Sequence, residues 1–117
     1  MTFDKTALLE KKGTQELNTR ITQWKEHLQE YRDSEVIEQH YYATDVEVRT
    51  IITDLIFMLD TKPYQIDANL VRQVDSLDNE LFANWQDGKF IWPQEWIPAY
   101  GKGDYWWLYG MPDVREK

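Results

Sequence analysis

Few side chains in this sequence are of the types that catalyse reactions or bind metal ions. The chain has no cysteine, which excludes disulfides, thiolate catalysis and cysteine-ligated zinc or iron–sulfur sites. Its two histidines, His27 and His40, both lack the glutamate three residues earlier that metal sites in helical bundles use. His27 lies beside Glu26 and Glu30, a pattern typical of a solvated helix face. We therefore expect neither a metal site nor a cofactor.

Motifs for nucleophilic catalysis and phosphate binding are missing as well. The two serines, Ser34 and Ser76, lie among acidic residues and outside any Gly-x-Ser-x-Gly pattern. Gly101 and Gly103 form a Gly-x-Gly pair without the third glycine of a nucleotide-binding loop. The sequence therefore favours a protein that is not an enzyme, unless the tertiary fold assembles an active site from distant residues.

Aromatic residues are concentrated near the C-terminus. Nine of the 25 residues in the range 85–109 are aromatic, and the prolines and glycines of the same region argue against a long helix. Tryptophan and tyrosine give large, rigid contact areas and are enriched at binding hot spots. The same rings could instead close a helical core that is too small to close by itself. We call residues 89–113 the aromatic segment and keep both interpretations.

Trp106 and Trp107 are the sharpest test of these interpretations. In an extended chain, neighbouring side chains point to opposite faces, so at most one of the two joins the core. We expect the other to be exposed as the main binding hot spot, together with Trp96, Tyr105 and Tyr109.

The charge of the chain is strongly negative and unevenly placed. The net charge is −8, and residues 26–87 carry 14 acidic but only four basic side chains. This balance excludes non-specific nucleic-acid binding and disfavours anionic membrane surfaces, because both need clustered cations. It favours a basic protein partner, with acids such as Asp75, Asp78 and Glu80 steering the encounter.

Helices are expected to position these residues. Apolar residues recur at steps of four and three in residues 14–32, which predicts a first helix with Thr14 as its N-cap. Residues 1–13 should form a loose arm or a short helix that ends at Gly13. The apolar pattern then loses phase, which predicts a kink or a short second helix through residue 42.

The next two helices follow from capping signals. Thr44 and Glu47 have the spacing of a capping box, so a central helix should begin there and end before Pro63. Asp67 is expected to cap the following helix, which should stop near Gly88. In the aromatic segment we expect a helical turn around residues 93–97 and an extended stretch over residues 105–109.

These elements predict one domain over residues 1–117 that is all-α or nearly so. The helices over residues 14–88 should form an antiparallel bundle of three or four helices, with the irregular aromatic segment packed on it. The predicted core consists of Leu17, Ile21, Trp24, Leu28, Val48, Ile52, Leu55, Leu59, Leu70, Val74, Leu77, Leu81 and Trp85.

The function that this pattern favours is non-catalytic binding of a protein partner, in a regulatory or inhibitory role. The longest apolar run, residues 55–59, is far below the roughly 20 residues that span a bilayer, so we expect a soluble, cytoplasmic protein. Homodimerisation is a further expectation, because short helices can leave an apolar face uncovered. The alternative is a small-molecule-binding or enzymatic pocket between the bundle and the aromatic segment, with the polar groups of His40, Tyr41, Glu95 and Asp104 converging on it.

Overall fold

The computed structural model describes residues 4–113, so residues 1–3 of the predicted arm and the last four residues of the chain lie outside it. Its described elements, in chain order, are three α-helices, a strand, two 3₁₀ turns and a second strand: α1 (Lys5–Asp33), α2 (Gln39–Leu59), α3 (Ala68–Ala83), β1 (Trp85–Phe90), the turns Gln94–Ala99 and Trp106–Leu108, and β2 (Tyr109–Pro112). The prediction of a mostly helical protein is confirmed. The small antiparallel sheet formed by β1 and β2 was not predicted.

Helix α1 is one continuous helix that passes through Gly13. Its N-cap is Asp4, whose side chain accepts a hydrogen bond from the Ala7 amide. The predicted break at Gly13 and the predicted start at Thr14 are therefore wrong. A Cβ atom at Gly13 would lie 2.9 Å from the Met58 Cε and 3.1 Å from the Leu59 Cδ2. The glycine thus allows α1 to approach the C-terminal end of α2 closely.

Helix α2 begins at Gln39, five residues before the predicted start at Thr44. The Thr44 hydroxyl donates to the His40 carbonyl oxygen at 3.1 Å, a bond within the helix, so the predicted capping box is wrong. The earlier start places Tyr42 on the buried face of the helix, where its ring is fully buried. As predicted, the helix ends before Pro63.

Helix α3 begins where its capping signal predicts and ends early. The Asp67 carboxylate accepts a hydrogen bond from the Asn69 amide at 2.9 Å, which confirms the predicted N-cap. The helix stops at Ala83, and Trp85 begins β1, which also contains Gly88. The predicted stop at Gly88 is wrong because residues 85–90 pair with β2, some 20 residues later in the chain.

One hydrophobic cluster joins the three helices and the aromatic segment. Ten of the thirteen predicted core residues are buried, whereas Val48, Leu55 and Trp85 are only half-buried. The cluster also contains residues that the prediction omitted, namely Tyr31, Tyr42, Val46, Phe90, Trp107 and Leu108. No helix within residues 4–113 combines the length and apolar character that crossing a membrane requires.

Candidate functional site

A groove runs between α2 and the aromatic segment, with a volume of about 620 Å³. One wall is a stripe of α2 residues spaced by three or four positions, so that they share a helix face. We call this concavity the α2 groove; its lining consists of Ala43, Thr44, Glu47, Thr50, Ile51 and Asp54 from α2 and Ile91, Trp92, Pro93, Trp96 and Tyr100 from the aromatic segment.

The opposite wall is built from aromatic rings that pack edge to face. The Trp92 ring centroid lies 5.8 Å from that of Trp96 and 5.2 Å from that of Tyr100, with the ring planes nearly perpendicular. Edge-to-face geometry is favourable because the positive ring edge meets the negative face of the neighbour. Trp96 sits at the rim of this array and is 47% exposed, so its ring can be contacted by a ligand.

Hydrogen bonds hold the two walls together at both ends of the groove. The Trp92 indole N–H donates to the Ala43 carbonyl oxygen at 2.8 Å. Near the other end, the Tyr105 hydroxyl donates to the Asp54 Oδ1 at 3.1 Å. Burial, followed by the negative charge of Asp54, raises the pKa of Tyr105 to about 12, which keeps the hydroxyl protonated as a donor.

Behind the groove, a buried arginine joins α2, α3 and the aromatic segment. The Arg49 guanidinium donates to both carboxylate oxygens of Asp78, at 2.9 and 2.7 Å, and to the Thr53 hydroxyl at 2.6 Å. Its central carbon lies 3.8 Å from the centroid of the Trp107 ring. The Trp107 indole N–H donates in turn to the Thr50 hydroxyl at 3.1 Å. This network fixes the aromatic segment against α2.

The polar groups that line the α2 groove are hydroxyls and carboxylates. Glu47 and Asp54 are both exposed, and the part of the chain that the structure describes, residues 4–113, contributes no lysine, arginine or histidine to the lining. Carboxylates beside aromatic ring faces attract a cation through both charge and the ring quadrupole. The geometry is therefore suited to binding a positively charged group.

The predicted aromatic binding residues have different environments. Trp107 is 2% exposed under Arg49, and Trp106 is the half-buried member of the pair. They follow each other in a 3₁₀ turn, so the predicted extended stretch is wrong at these positions. Tyr105 and Tyr109 are half-buried. The Tyr105 hydroxyl donates a hydrogen bond to Asp54, and the Tyr109 hydroxyl donates one to the Tyr100 carbonyl oxygen. Trp96 alone of the five lines the α2 groove.

The three predicted steering acids also differ. Asp78 forms an ion pair with Arg49 on α2, and Glu80 forms one with Arg32 on α1. Both acids therefore connect helices, and their steering role stays a prediction. Asp75 is exposed, and its steering role remains a prediction.

The four residues proposed for an alternative pocket do not converge on the groove. His40, Tyr41, Glu95 and Asp104 are all exposed, and none of them lines the α2 groove. The His40 and Tyr41 rings instead lie against each other, with centroids 4.1 Å apart.

His27, Glu30 and Asp45 form a cluster whose ligand-type atoms all lie within 4.8 Å of one another. The sequence did not predict this cluster, because Asp45 comes from a different helix. The His27 Nδ1 lies 3.3 Å from the Glu30 Oε1 and 3.5 Å from the Asp45 Oδ2, which also accepts a hydrogen bond from the Tyr31 hydroxyl. These residues could ligate a divalent cation, but His27 also lies within hydrogen-bond distance of Glu30, and Asp45 already accepts a hydrogen bond from Tyr31.

Among the groove residues that the sequence analysis missed, Glu47, Asp54 and Trp92 matter most for the chemistry of the site. Glu47 was assigned to a capping box, and Asp54 was counted only within the acidic stretch. A usable signal was present, because residues 43, 47, 50, 51 and 54 form a second stripe on α2 beside its buried face.

Comparisons with protein-family models, with curated proteins and with solved structures gave no match, so the function must be argued from the site itself.

Proposed function

We propose that the protein is a non-catalytic binding domain that holds a basic segment of a partner protein in the α2 groove. The observation that carries this proposal is the half-exposed Trp96 ring across the groove from the carboxylates of Glu47 and Asp54. Exposed tryptophans are frequent interface hot spots, and acidic surroundings speed the encounter with a basic partner.

A fold proposal accompanies the functional one. We propose that α1, α2 and α3 form an antiparallel three-helix bundle whose open side along α2 is covered by the aromatic segment. The packing of α1 against both other helices and the shared hydrophobic cluster support it. In this arrangement the aromatic segment closes the core with Trp107 and binds with Trp96.

The composition of the groove supports binding rather than catalysis. Among the described residues, the lining has no histidine, lysine or cysteine; the bases that it offers are the carboxylates of Glu47 and Asp54, and Asp54 already accepts a hydrogen bond from Tyr105. The Thr50 hydroxyl donates to the Val46 carbonyl oxygen at 3.2 Å and accepts from the Trp107 indole N–H. Both bonds hold the fold together, so this hydroxyl has a structural role.

The test is capture of partners from a lysate of the source cells at low and high salt. Wild type is compared with Trp96→Leu, and Phe82→Leu serves as control because Phe82 is a 63% exposed aromatic residue outside the groove lining. We expect one partner that binds wild type and Phe82→Leu, is lost with Trp96→Leu and weakens at high salt. A partner that is retained equally by all three proteins would contradict the proposal. Substituting Trp106 and Trp107 would be a poor test, because Trp107 belongs to the core.

The volume of the groove favours a second candidate function, the binding of a small organic cation. About 620 Å³ lies within the range of small-molecule sites, roughly 300–1,000 Å³. A thermal-shift screen of organic cations and their neutral analogues tests it, and stabilisation by cations alone would support this candidate.

A further inference from the structure

We infer that the occupant of the α2 groove is an arginine side chain carried by an extended segment of the partner. This inference rests on the proposed function and adds the chemistry that the groove recognises.

The protein already binds one arginine in this way in its own interior. The Arg49 guanidinium lies over the Trp107 ring while it donates two parallel hydrogen bonds to Asp78. The α2 groove presents the same residue types at the surface, because Trp92 and Trp96 line it together with two carboxylates. A planar guanidinium suits such a site better than an ammonium group, because it can stack on a ring and pair with a carboxylate at the same time.

The charges around the groove are left for a ligand to neutralise. Within residues 4–113 the structure gives Glu47 neither an ion pair nor a hydrogen bond through its side chain, while Asp54 uses its Oδ1 to accept from Tyr105. A second copy of this chain carries the same net charge of −8, which disfavours it as occupant. Charge complementarity therefore selects a basic partner segment.

The dimensions of the groove suit a short extended peptide. From Ala43 to Asp54 the helix rises by about 16 Å, the length of roughly five residues of extended chain. Glu47 and Asp54 are seven residues apart, or about 10 Å along the axis. Residues three apart in a polyproline II segment are separated by about 9 Å, so a second arginine, placed in an Arg-x-x-Arg spacing, would reach the other carboxylate.

The test is a titration of the full chain, followed by the indole N–H signals of its tryptophans in NMR spectra. The probe is the capped peptide Gly-Arg-Ser-Gly-Arg-Gly, and its twins carry citrulline or lysine in place of arginine. Citrulline keeps the planar shape of arginine but has no charge, and a carbonyl oxygen, which accepts hydrogen bonds, replaces one of its two NH2 groups. We expect saturable shifts of the Trp92 and Trp96 signals with the arginine peptide, and at least about tenfold weaker binding of the citrulline twin.

Matched variants locate the site. Glu47→Gln should weaken binding of the arginine peptide by about threefold, as loss of one exposed ion pair implies. Glu26→Gln removes the same charge from an exposed position outside the groove lining and should leave the affinity unchanged. Equal losses in both variants would overturn the inference, because they would indicate general charge attraction rather than a site.

Other outcomes separate this inference from the proposed function. If Trp96→Leu loses a captured partner but the arginine and citrulline peptides bind equally, the proposed function stands and the inference is wrong. Equal binding of the lysine twin would overturn the choice of arginine. Trp96 shifts that depend on protein concentration without peptide would assign the groove to a second copy of the chain and overturn the inference.

Discussion

Arg49 shows how a single side chain connects the site to the core. It is 5% exposed, yet its guanidinium is fully engaged: Asp78 and Thr53 accept its hydrogen bonds, and the Trp107 ring lies against one of its faces. A buried charge is tolerated only when it is paired and hydrogen-bonded. The sequence alone showed Arg49 only as one of the four basic residues in the acidic range 26–87.

Removing Asp78, the charged partner of Arg49, should lower the stability of the fold. We expect Asp78→Ala to lower the free energy of unfolding by about 3 kcal/mol, because it leaves a buried guanidinium without its counter-charge. Asp75→Ala, at an exposed position of the same helix, should change it by less than about 0.5 kcal/mol. Urea unfolding of both variants measures the difference, and equal effects would argue against a structural role for the pair.

Tyr31 predicts how stability depends on alkaline pH. Burial, with a further contribution from Asp45, raises the pKa of its hydroxyl above the value of about 10 expected in the unfolded chain. The folded state then holds a proton that the unfolded state releases, so the stabilisation is complete below about pH 10 and is lost as pH rises beyond it.

The expected result is a fall in the free energy of unfolding between about pH 9 and about pH 11, with a shallower fall in Tyr31→Phe. Tyr41→Phe is the matched control, because Tyr41 is 61% exposed, and it should follow the wild-type slope. Denaturant unfolding across this pH range gives the slopes. Identical slopes in all three proteins would show that Tyr31 does not contribute.

At the scale of elements, the antiparallel pairing of β1 with β2 fixes the position of the aromatic segment. Asp87 pairs with Gly110, and a register shift follows between Asp87 and Phe90. Gly110 has a φ of +149°, and an added Cβ would overlap the Gln86 carbonyl oxygen and lie 2.8 Å from the Trp85 ring. The close approach of the two strands therefore requires glycine at this position.

Gly110→Ala should destabilise the protein by at least about 2 kcal/mol, because it combines a strained φ with a steric overlap. In Gly88→Ala the new Cβ would lie 3.5 Å from the Gly110 Cα, an ordinary contact. We expect that control to change stability by less than about 0.5 kcal/mol. Thermal unfolding followed by near-ultraviolet circular dichroism, which reports the tryptophans, measures both effects.

At the scale of the whole molecule, the hydrophobic cluster spans the helices and the aromatic segment. Ile52 is fully buried in it, whereas Leu55, one turn further along α2, is only half-buried. A charge at the first position has no route to water, while a charge at the second can reach solvent. The two positions therefore test which face of α2 meets the core.

Ile52→Asp should abolish cooperative unfolding, because burying an unpaired carboxylate costs a large part of the 5–15 kcal/mol that stabilises a typical domain. Leu55→Asp should remain folded with a lower midpoint. Differential scanning calorimetry distinguishes a lost transition from a shifted one. A sharp transition for Ile52→Asp at the wild-type temperature would show that the α2 face is assigned wrongly.

The sequence by itself determined the features that depend on local spacing and capping. The apolar steps of four and three identified the buried faces of α1 and α3, and Asp67 identified the start of α3. The helical turn in the aromatic segment followed from its prolines and corresponds to Gln94–Ala99. Such signals are read within one or two turns of chain, so they do not depend on distant residues.

Only the tertiary structure decided the features that depend on distant partners. Gly13 continues a helix because it packs against Leu59, and residues 85–90 leave the helix because they pair with β2. In the same way, Trp107 is buried through its contact with Arg49, while Trp96 remains exposed beside Glu47 and Asp54. Local patterns do not carry this information, because the free energy of burial and strand pairing depends on which residues the fold brings together.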